Sequence, residues 1–248
     1  MARGDQLGRQ WKMIQILLTS RRGKSAAQLS EAIGWKGSAH RKYRDTIRGL
    51  RDKDIRIAMD EWNYWYGPHI YGELGVRYFH KDGLGVAIGL HEFFRNSDLY
   101  FMANYAQTVN VIGCIKTTRT EAAFATTGLV LKLYREVFGS IPVMLSGAPE
   151  PLDVAGAWTD DRKAFTLAVV NPTAIPQQLP LTWQNVASGK QGTHYFIVHT
   201  DPRAYNTPGE EPAVKIEKAS LGRMPGKLTV KPYSINIYRW ESRRNRNR

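Results

Sequence analysis

Hydrophobic positions divide the chain into three textures. Near the start, Leu7, Trp11, Ile14, Leu17 and Leu18 recur at helical spacing over residues 6–19. A polar SRRGKS turn follows, and SAAQLSEAIG then predicts a second short helix closed by Gly34. From residue 39, AHRKYRDTIRGLRDKD reads as an amphipathic helix, and IRIAMDE (55–61) is an apolar run of the kind found in a parallel-sheet strand buried on both faces. An aromatic loop precedes GLGVAIGLHEFFRNS (83–97), a mostly apolar helix, and LYFMANYAQ (99–107), a second buried strand. Thr118 and Glu121 have capping-box spacing, which predicts a long helix over 121–138. Helix, strand, helix, strand, helix is the rhythm of a parallel α/β fold.

Beyond Phe138 that rhythm stops. IPVMLSG, LDVAGAWTDD, AFTLAVVNPT, QLPLTWQNV, GTHYFIVHT and LTVKPYSINIYRWE are short alternating segments separated by Pro, Gly, Asn and Asp, the pattern of a β-sandwich. The expected architecture is therefore α/β plus all-β. It comprises a helical segment (1–38), an α/β portion (39–140), a sandwich (141–242) and a basic tail RRNRNR (243–248).

The formal charge of +13 alters this picture only at the ends. Residues 1–53 hold 13 Lys/Arg against 4 Asp/Glu, residues 239–248 hold 5 against 1, and the body between is balanced at 17 each. Nucleic-acid binding, where it exists, belongs to residues 1–53 rather than to the body. The only cysteine, Cys114, excludes an internal disulfide and points to a reducing compartment. No run approaches the ~20 apolar residues of a membrane helix. WKMIQILL is too short for a signal-peptide core and lacks a small-residue cleavage site after it. A cytoplasmic protein is the simplest expectation.

The candidate chemistry sits at the end of the first α/β strand. In parallel α/β barrels, catalytic residues occupy the C-terminal ends of strands, which singles out Asp60 and Glu61. Strand alternation should place one on the inner face and the other on the outer. A Glu ringed by Trp62, Tyr64, Trp65 and Tyr66 fits a sugar site, because aromatic faces stack on sugar rings while a carboxylate attacks the anomeric carbon. A carboxylate capping the next helix among loop aromatics fits the same residues. Asp60 is expected to bond neighbouring loop amides. Glu92 reads as an ion-pair or capping group, His69, His80 and His91 as packing or solvated residues without metal spacing, and His194 and His199 as surface.

DEWNYWYGP (60–68), ANYAQTVNVIG (103–113) and TEAAFATTGLVLKLYREVFGSIPV (120–143) together resemble the C-terminal half of the family 51 α-L-arabinofuranosidases, over roughly residues 39–240. The resemblance implies the last two strands and helices of a (β/α)8 barrel followed by a β-sandwich. It also implies a retaining glycosidase that removes terminal arabinofuranosyl groups from arabinan, arabinoxylan and their oligosaccharides with no metal or organic cofactor. Carried over, Glu61 is the nucleophile, Gln107 contacts the sugar, and Trp65 flanks the pocket mouth. Asn63 joins Gln107 as a donor that keeps the nucleophile ionised. Asn110 either shapes the pocket floor or caps the turn after the second strand. The opening 34 residues resemble the N-terminus of bacterial winged helix-turn-helix regulators, so a DNA-binding segment attached to a non-catalytic sugar-binding remnant is the alternative.

The chain also departs from the family. The acid/base Glu belongs to an Asn-Glu pair on the fourth barrel strand, and no Asn-Glu dipeptide occurs here. Residues 1–38 leave no room for six further strands, and two strands of eight cannot close a barrel. The resemblance therefore implies a truncated, weakly active or inactive chain, with a partner supplying the missing strands or a homo-oligomer as the means of covering the open edge.

Overall fold

The computed structural model describes residues 39–65, 72–184 and 191–242. The two expected N-terminal helices, Tyr66, His69 and the basic tail lie outside the described residues. The chain separates into two compact units: one reaches His69 and includes Asp98–Ala106, and the other comprises Ile70–Ser97 and Gln107 onward.

In the first unit, helix α1 (Ala39–Arg51) precedes strand β1 (Ile57–Trp62), which pairs in parallel with β2 (Tyr100–Tyr105). Ile47 is buried on α1, and Arg51 at its end makes a bidentate contact with Asp98 at 2.5 and 2.9 Å. That hydrogen bond from the guanidinium holds the Asp98 carboxyl below its usual range. Burial on both strand faces, expected from the apolar runs, is not observed in this unit. Ala58, Asp60 and Glu61 of β1 are exposed, as are Asn104 and Phe101 of β2, the latter at 62%. A parallel sheet of only two strands has too few neighbours to cover its faces.

The second unit contains α2 (His80–Arg95), the hairpin β3 (Ile115–Thr117) and β4 (Ala122–Phe124), and α3 (Thr126–Val137). Helix α2 starts three residues earlier than the pattern suggested, because the Asp82 carboxylate accepts the Phe79 N–H at 2.7 Å and closes its first turn. The long helix expected over 121–138 is shorter. Its first residues form β4, and Thr118 Oγ1 accepts the Glu121 N–H at 3.1 Å within a hairpin turn rather than at a helix start. The Ala-Ala-Phe segment is compatible with helix by propensity, but cross-strand pairing with residues 115–117 decides its conformation.

The remaining strands are β5 (Ile141–Val143), β6 (Asp153–Trp158), β7 (Ala164–Asn171), β8 (Gln177–Pro180), β9 (Gly192–Val198), β10 (Glu217–Leu221), β11 (Lys227–Val230) and β12 (Ser234–Glu241). Six of them form an antiparallel sheet in the order β10-β9-β12-β7-β6-β5, and β8 pairs with β11 as a separate ribbon. Phe165, Leu167 and Val169 on one face of β7 pack with Tyr238 and Trp240 of β12 and with Leu179 and Val230 of the ribbon. The alternate residues, including Ala168, Val170, Ile235 and Ile237, are also buried, and α2 packs against β6, β7 and β12. β7 is therefore a strand without a solvent face.

A polar link fastens α2 to this sheet. His91, fully buried, bonds Asp153 Oδ1 through Nδ1 and the Tyr134 hydroxyl through Nε2, each at 2.5 Å, and Arg95 also donates to Asp153 at 2.9 Å. Burial holds the His91 imidazole below its ordinary range against the opposing pull of Asp153. Burial pushes the Asp153 carboxyl up, but the bonds from His91 and Arg95 outweigh it and keep the carboxyl low. Glu92 pairs with Arg95 and Asn96, as its isolated position suggested. His194 departs from the surface reading: it is half-buried, stacked on Tyr238 at 4.3 Å and bonded to Asn236 at 3.0 Å.

Candidate functional site

β1 ends in two adjacent carboxylates followed by an aromatic segment. The register runs Met59↔Ala103 and then Trp62↔Tyr105, so Asp60 and Glu61 together oppose Asn104, and β1 carries an extra residue. Such a bulge bends the strand and redirects side chains, which is why bulges recur beside active sites. The extra residue interrupts regular pairing at Asp60 and Glu61, and both are exposed. Neither carboxylate has a hydrogen bond or ion pair with a described residue, which corrects the expectation that Asp60 bonds loop amides.

The residues around them are fastened in place. Trp62 meets Tyr105 edge to face at 5.4 Å. Asn63 Nδ2 donates to the Ala106 carbonyl at 2.5 Å, and its Oδ1 accepts from the Tyr64 N–H and the Tyr105 hydroxyl, both at 2.7 Å. Asn63 is thus a bracket between the ends of β1 and β2 rather than a donor to Glu61. Tyr105, which sequence patterning did not single out, is the hub of this bracket. Tyr64 is exposed and Trp65 half-buried beyond it.

Gln107 and Asn110 belong to the second unit. Gln107 is exposed, with its carbonyl accepting the Cys114 N–H at 3.2 Å. Asn110 has φ +48° and Val111 has φ +45°, two consecutive left-handed residues. Asn tolerates this conformation; a β-branched Val there carries about 1–3 kcal/mol of strain. The Asn110 amide bonds Thr117 on both sides, donating to its carbonyl at 3.1 Å and accepting its N–H at 2.8 Å. These bonds cap the turn after β2.

The strained carbonyl of Val111 accepts the Val76 N–H at 2.6 Å and Lys116 Nζ at 3.2 Å. Lys116 is 1% exposed, also donates to the Leu74 carbonyl at 3.0 Å, and lies 5.3 Å from the Tyr78 ring. Burial lowers its ammonium to about 8. Burial likewise raises the Cys114 thiol. Its only signal in the sequence is a lysine inside the apolar stretch VIGCIKT. Among the described residues no group of three or more His, Cys, Asp or Glu could hold a metal, and no helix is long and apolar enough to cross a membrane.

A strand ending in carboxylates among aromatics, on the same chain as an antiparallel sandwich, defines a fold shared with solved arabinofuranosidases. One such crystal structure superposes with a TM-score of 0.69 at 25% identity, over 81% of this chain and 47% of the other. An arabinose complex of the α-L-arabinofuranosidase from Thermotoga maritima gives 0.67 at 25% identity, over 81% and 46%. Residues 60–234 match the α-L-arabinofuranosidase C-terminal domain, and the chain belongs to that family. Among curated relatives, the probable α-L-arabinofuranosidase C of Aspergillus niger is 34% identical over 75% of this chain and 39% of its own length. The intracellular exo-α-(1->5)-L-arabinofuranosidase 1 of Bacillus subtilis is 24% identical over 75% of this chain and 42% of its own length. The chain thus spans about two fifths of the length of the relatives it matches.

Proposed function

We propose that this chain carries the nucleophile half of a retaining α-L-arabinofuranosidase site, acting on terminal arabinofuranosyl groups of arabinan or arabinoxylan. The observation that carries the reading is Glu61, exposed at a bulged strand end and engaged by no described protein group, in a chain of this family. In this reading β1 and β2 are the last two strands of a (β/α)8 barrel spanning residues 39–140, with the sandwich at 141–242. The single cysteine and the intracellular relatives of Bacillus subtilis and Bacteroides ovatus support an intracellular setting.

A Glu61 oxygen attacks the anomeric carbon as the bond to the leaving oxygen breaks, giving a glycosyl-enzyme ester that water then hydrolyses. A retaining site needs a second carboxyl about 5–5.5 Å away to protonate the leaving oxygen and later deprotonate the water. The family's Asn-Glu acid is absent from this sequence, so natural substrates should turn over slowly, by the ~10²–10⁴-fold that general acid catalysis contributes. Gln107 and Trp65 serve as substrate contacts, while Asn63 and Asn110 shape the segments that carry them. An activated aryl arabinofuranoside, whose leaving group needs no proton, is the test. A stoichiometric burst of phenolate that Glu61→Gln abolishes is the expected result. A burst that survives this substitution would overturn the assignment, as would rapid hydrolysis of arabinoxylan by the chain alone.

A further inference from the structure

We infer that Asn63 and Tyr105 form a register lock that produces the bulge at Asp60 and Glu61, which makes Tyr105 a positioning residue for the proposed nucleophile. This deepens the proposed function and rests on its assignment of Glu61. The register of β1 against β2 changes twice. Ile57 pairs with Tyr100 but Ala58 with Met102, so β2 first carries an extra residue, Phe101, which is 62% exposed. Met59 continues the displaced register opposite Ala103. Unbroken pairing from there would bring Asp60 to Asn104 and Glu61 to Tyr105. Trp62 takes the place opposite Tyr105 instead, so the extra residue of β1 cancels the one in β2.

The groups that enforce this return lie just beyond the bulge, in the same unit. The Trp62 carbonyl accepts the Ala106 N–H at 3.2 Å, and the Asn63 amide spans the two strand ends. Chemistry fixes how that amide is turned. The Ala106 carbonyl only accepts, so Nδ2 faces it at 2.5 Å, and Oδ1 is left to take the Tyr64 N–H and the Tyr105 hydroxyl proton, both at 2.7 Å. The bond from Tyr64 holds the amide in place, and the bonds to Ala106 and from Tyr105 cross between the strands. Displacing β1 by one residue moves it about 3.3 Å along β2 and breaks both crossing bonds. Glu61 would move by the same distance, whereas a misplacement of about 1 Å can already cost a reaction about a hundredfold. The edge-to-face contact of Trp62 with Tyr105, at 5.4 Å, reports which register is present.

The experiment follows the full chain with an activated aryl arabinofuranoside and, in parallel, by NMR of protein carrying isotope-labelled Trp, Tyr and Phe. Asn63→Leu removes both crossing bonds, Tyr105→Phe removes one, and the double variant removes no bond that the first does not. The expected burst rate is at least about a hundredfold lower for Asn63→Leu and about three- to tenfold lower for Tyr105→Phe. The double variant should be no slower than Asn63→Leu, because the hydroxyl acts only through the amide. The nuclear Overhauser contact between the Trp62 indole and the aromatic ring at position 105 should vanish in Asn63→Leu and weaken in Tyr105→Phe, which keeps the ring. Melting curves establish that each variant is folded. Asn63→Asp, which loses only the donor to Ala106, covers the case in which Asn63→Leu does not fold, with a loss of about three- to tenfold expected. Burst rates within about twofold of the parent in both single variants, losses that multiply in the double variant, or slower bursts with the Trp62 contact at full strength would each overturn the inference. A parent chain without a burst, whose Trp62 contact is nonetheless lost in Asn63→Leu, refutes the role of Glu61 and upholds the lock. A contact that persists in Asn63→Leu overturns the lock whatever the burst.

Discussion

Lys116 offers a test of the physics that shapes the loop after β2. Its ammonium is buried without a carboxylate partner, held by the carbonyls of Leu74 and Val111. Two carbonyl dipoles compensate only part of the lost hydration, so the proton is held less tightly than in water, at about 8 against 10.5. At about 1.4 kcal/mol per pH unit, this gap corresponds to about 3 kcal/mol. The sign follows from proton counts. Below 8 folded and unfolded chains both hold the proton; between 8 and 10.5 only the unfolded chain does, so stability rises with pH; above 10.5 the full gain is present. Lys116→Met at a single pH is ambiguous, because it removes both the burial cost and two charge-assisted hydrogen bonds of about 1.5–3 kcal/mol each. The difference between two pH values is not ambiguous. Urea unfolding followed by tryptophan fluorescence, in a Cys114→Ser background to remove the neighbouring thiol, should show the original lysine chain gaining roughly 2–3 kcal/mol over the Met variant between about pH 7 and about pH 10. A gap that stays constant within about 0.5 kcal/mol would refute the buried, partnerless ammonium.

Burial lowers His80, His91 and His194 alike, so each is neutral in the folded protein at a pH where the unfolded chain takes up a proton. Stability contributed by their neutral forms is present above 6.5 and is lost as pH falls below it, and the melting temperature should drop steadily on the acid side. Gly75→Ala should prevent the 72–79 segment from closing on Val111, because a Cβ there would stand 2.1 Å from the Val111 carbonyl oxygen on a backbone at φ +78°. A cost above about 2 kcal/mol, read as a lower urea midpoint, is expected. Glu61→Gln should leave that midpoint within about 0.5 kcal/mol of the parent while abolishing the aryl burst, since no described group relies on the carboxylate.

How far the sequence reveals this structure depends on the range of the forces involved. The runs IRIAMDE and LYFMANYAQ locate β1 and β2, and the alternating segments after Phe138 locate most of the sandwich, because local hydrophobic pattern is enough there. The β3–β4 hairpin is hidden because its four-residue turn carries the Thr-x-x-Glu spacing of a helix cap, and only pairing across the turn distinguishes the two. β10, with the sequence EKASL, is hidden because it is a polar edge strand held by β9 alone. The irregular pairing at Asp60 and Glu61 is hidden too, since a bulge depends on the register with β2.

The same contrast separates scaffold from chemistry. Polar side chains that the fold needs are saturated: both ends of the Asn63 amide are bonded, the Asn110 amide is closed on Thr117, and the Lys116 ammonium is locked on two carbonyls. Removing them should cost stability first. Asp60, Glu61 and the side chain of Gln107 are exposed and make no hydrogen bond with a described residue. No described residue of the fold relies on the two carboxylates at this bulged strand end. The proposed function gives them a use, because an oxygen nucleophile must be positioned by its backbone while its lone pairs stay unoccupied. In that reading the bulge meets the first requirement and the exposure of Glu61 the second, and Asn63 and Tyr105 hold the strand end still without touching the proposed nucleophile.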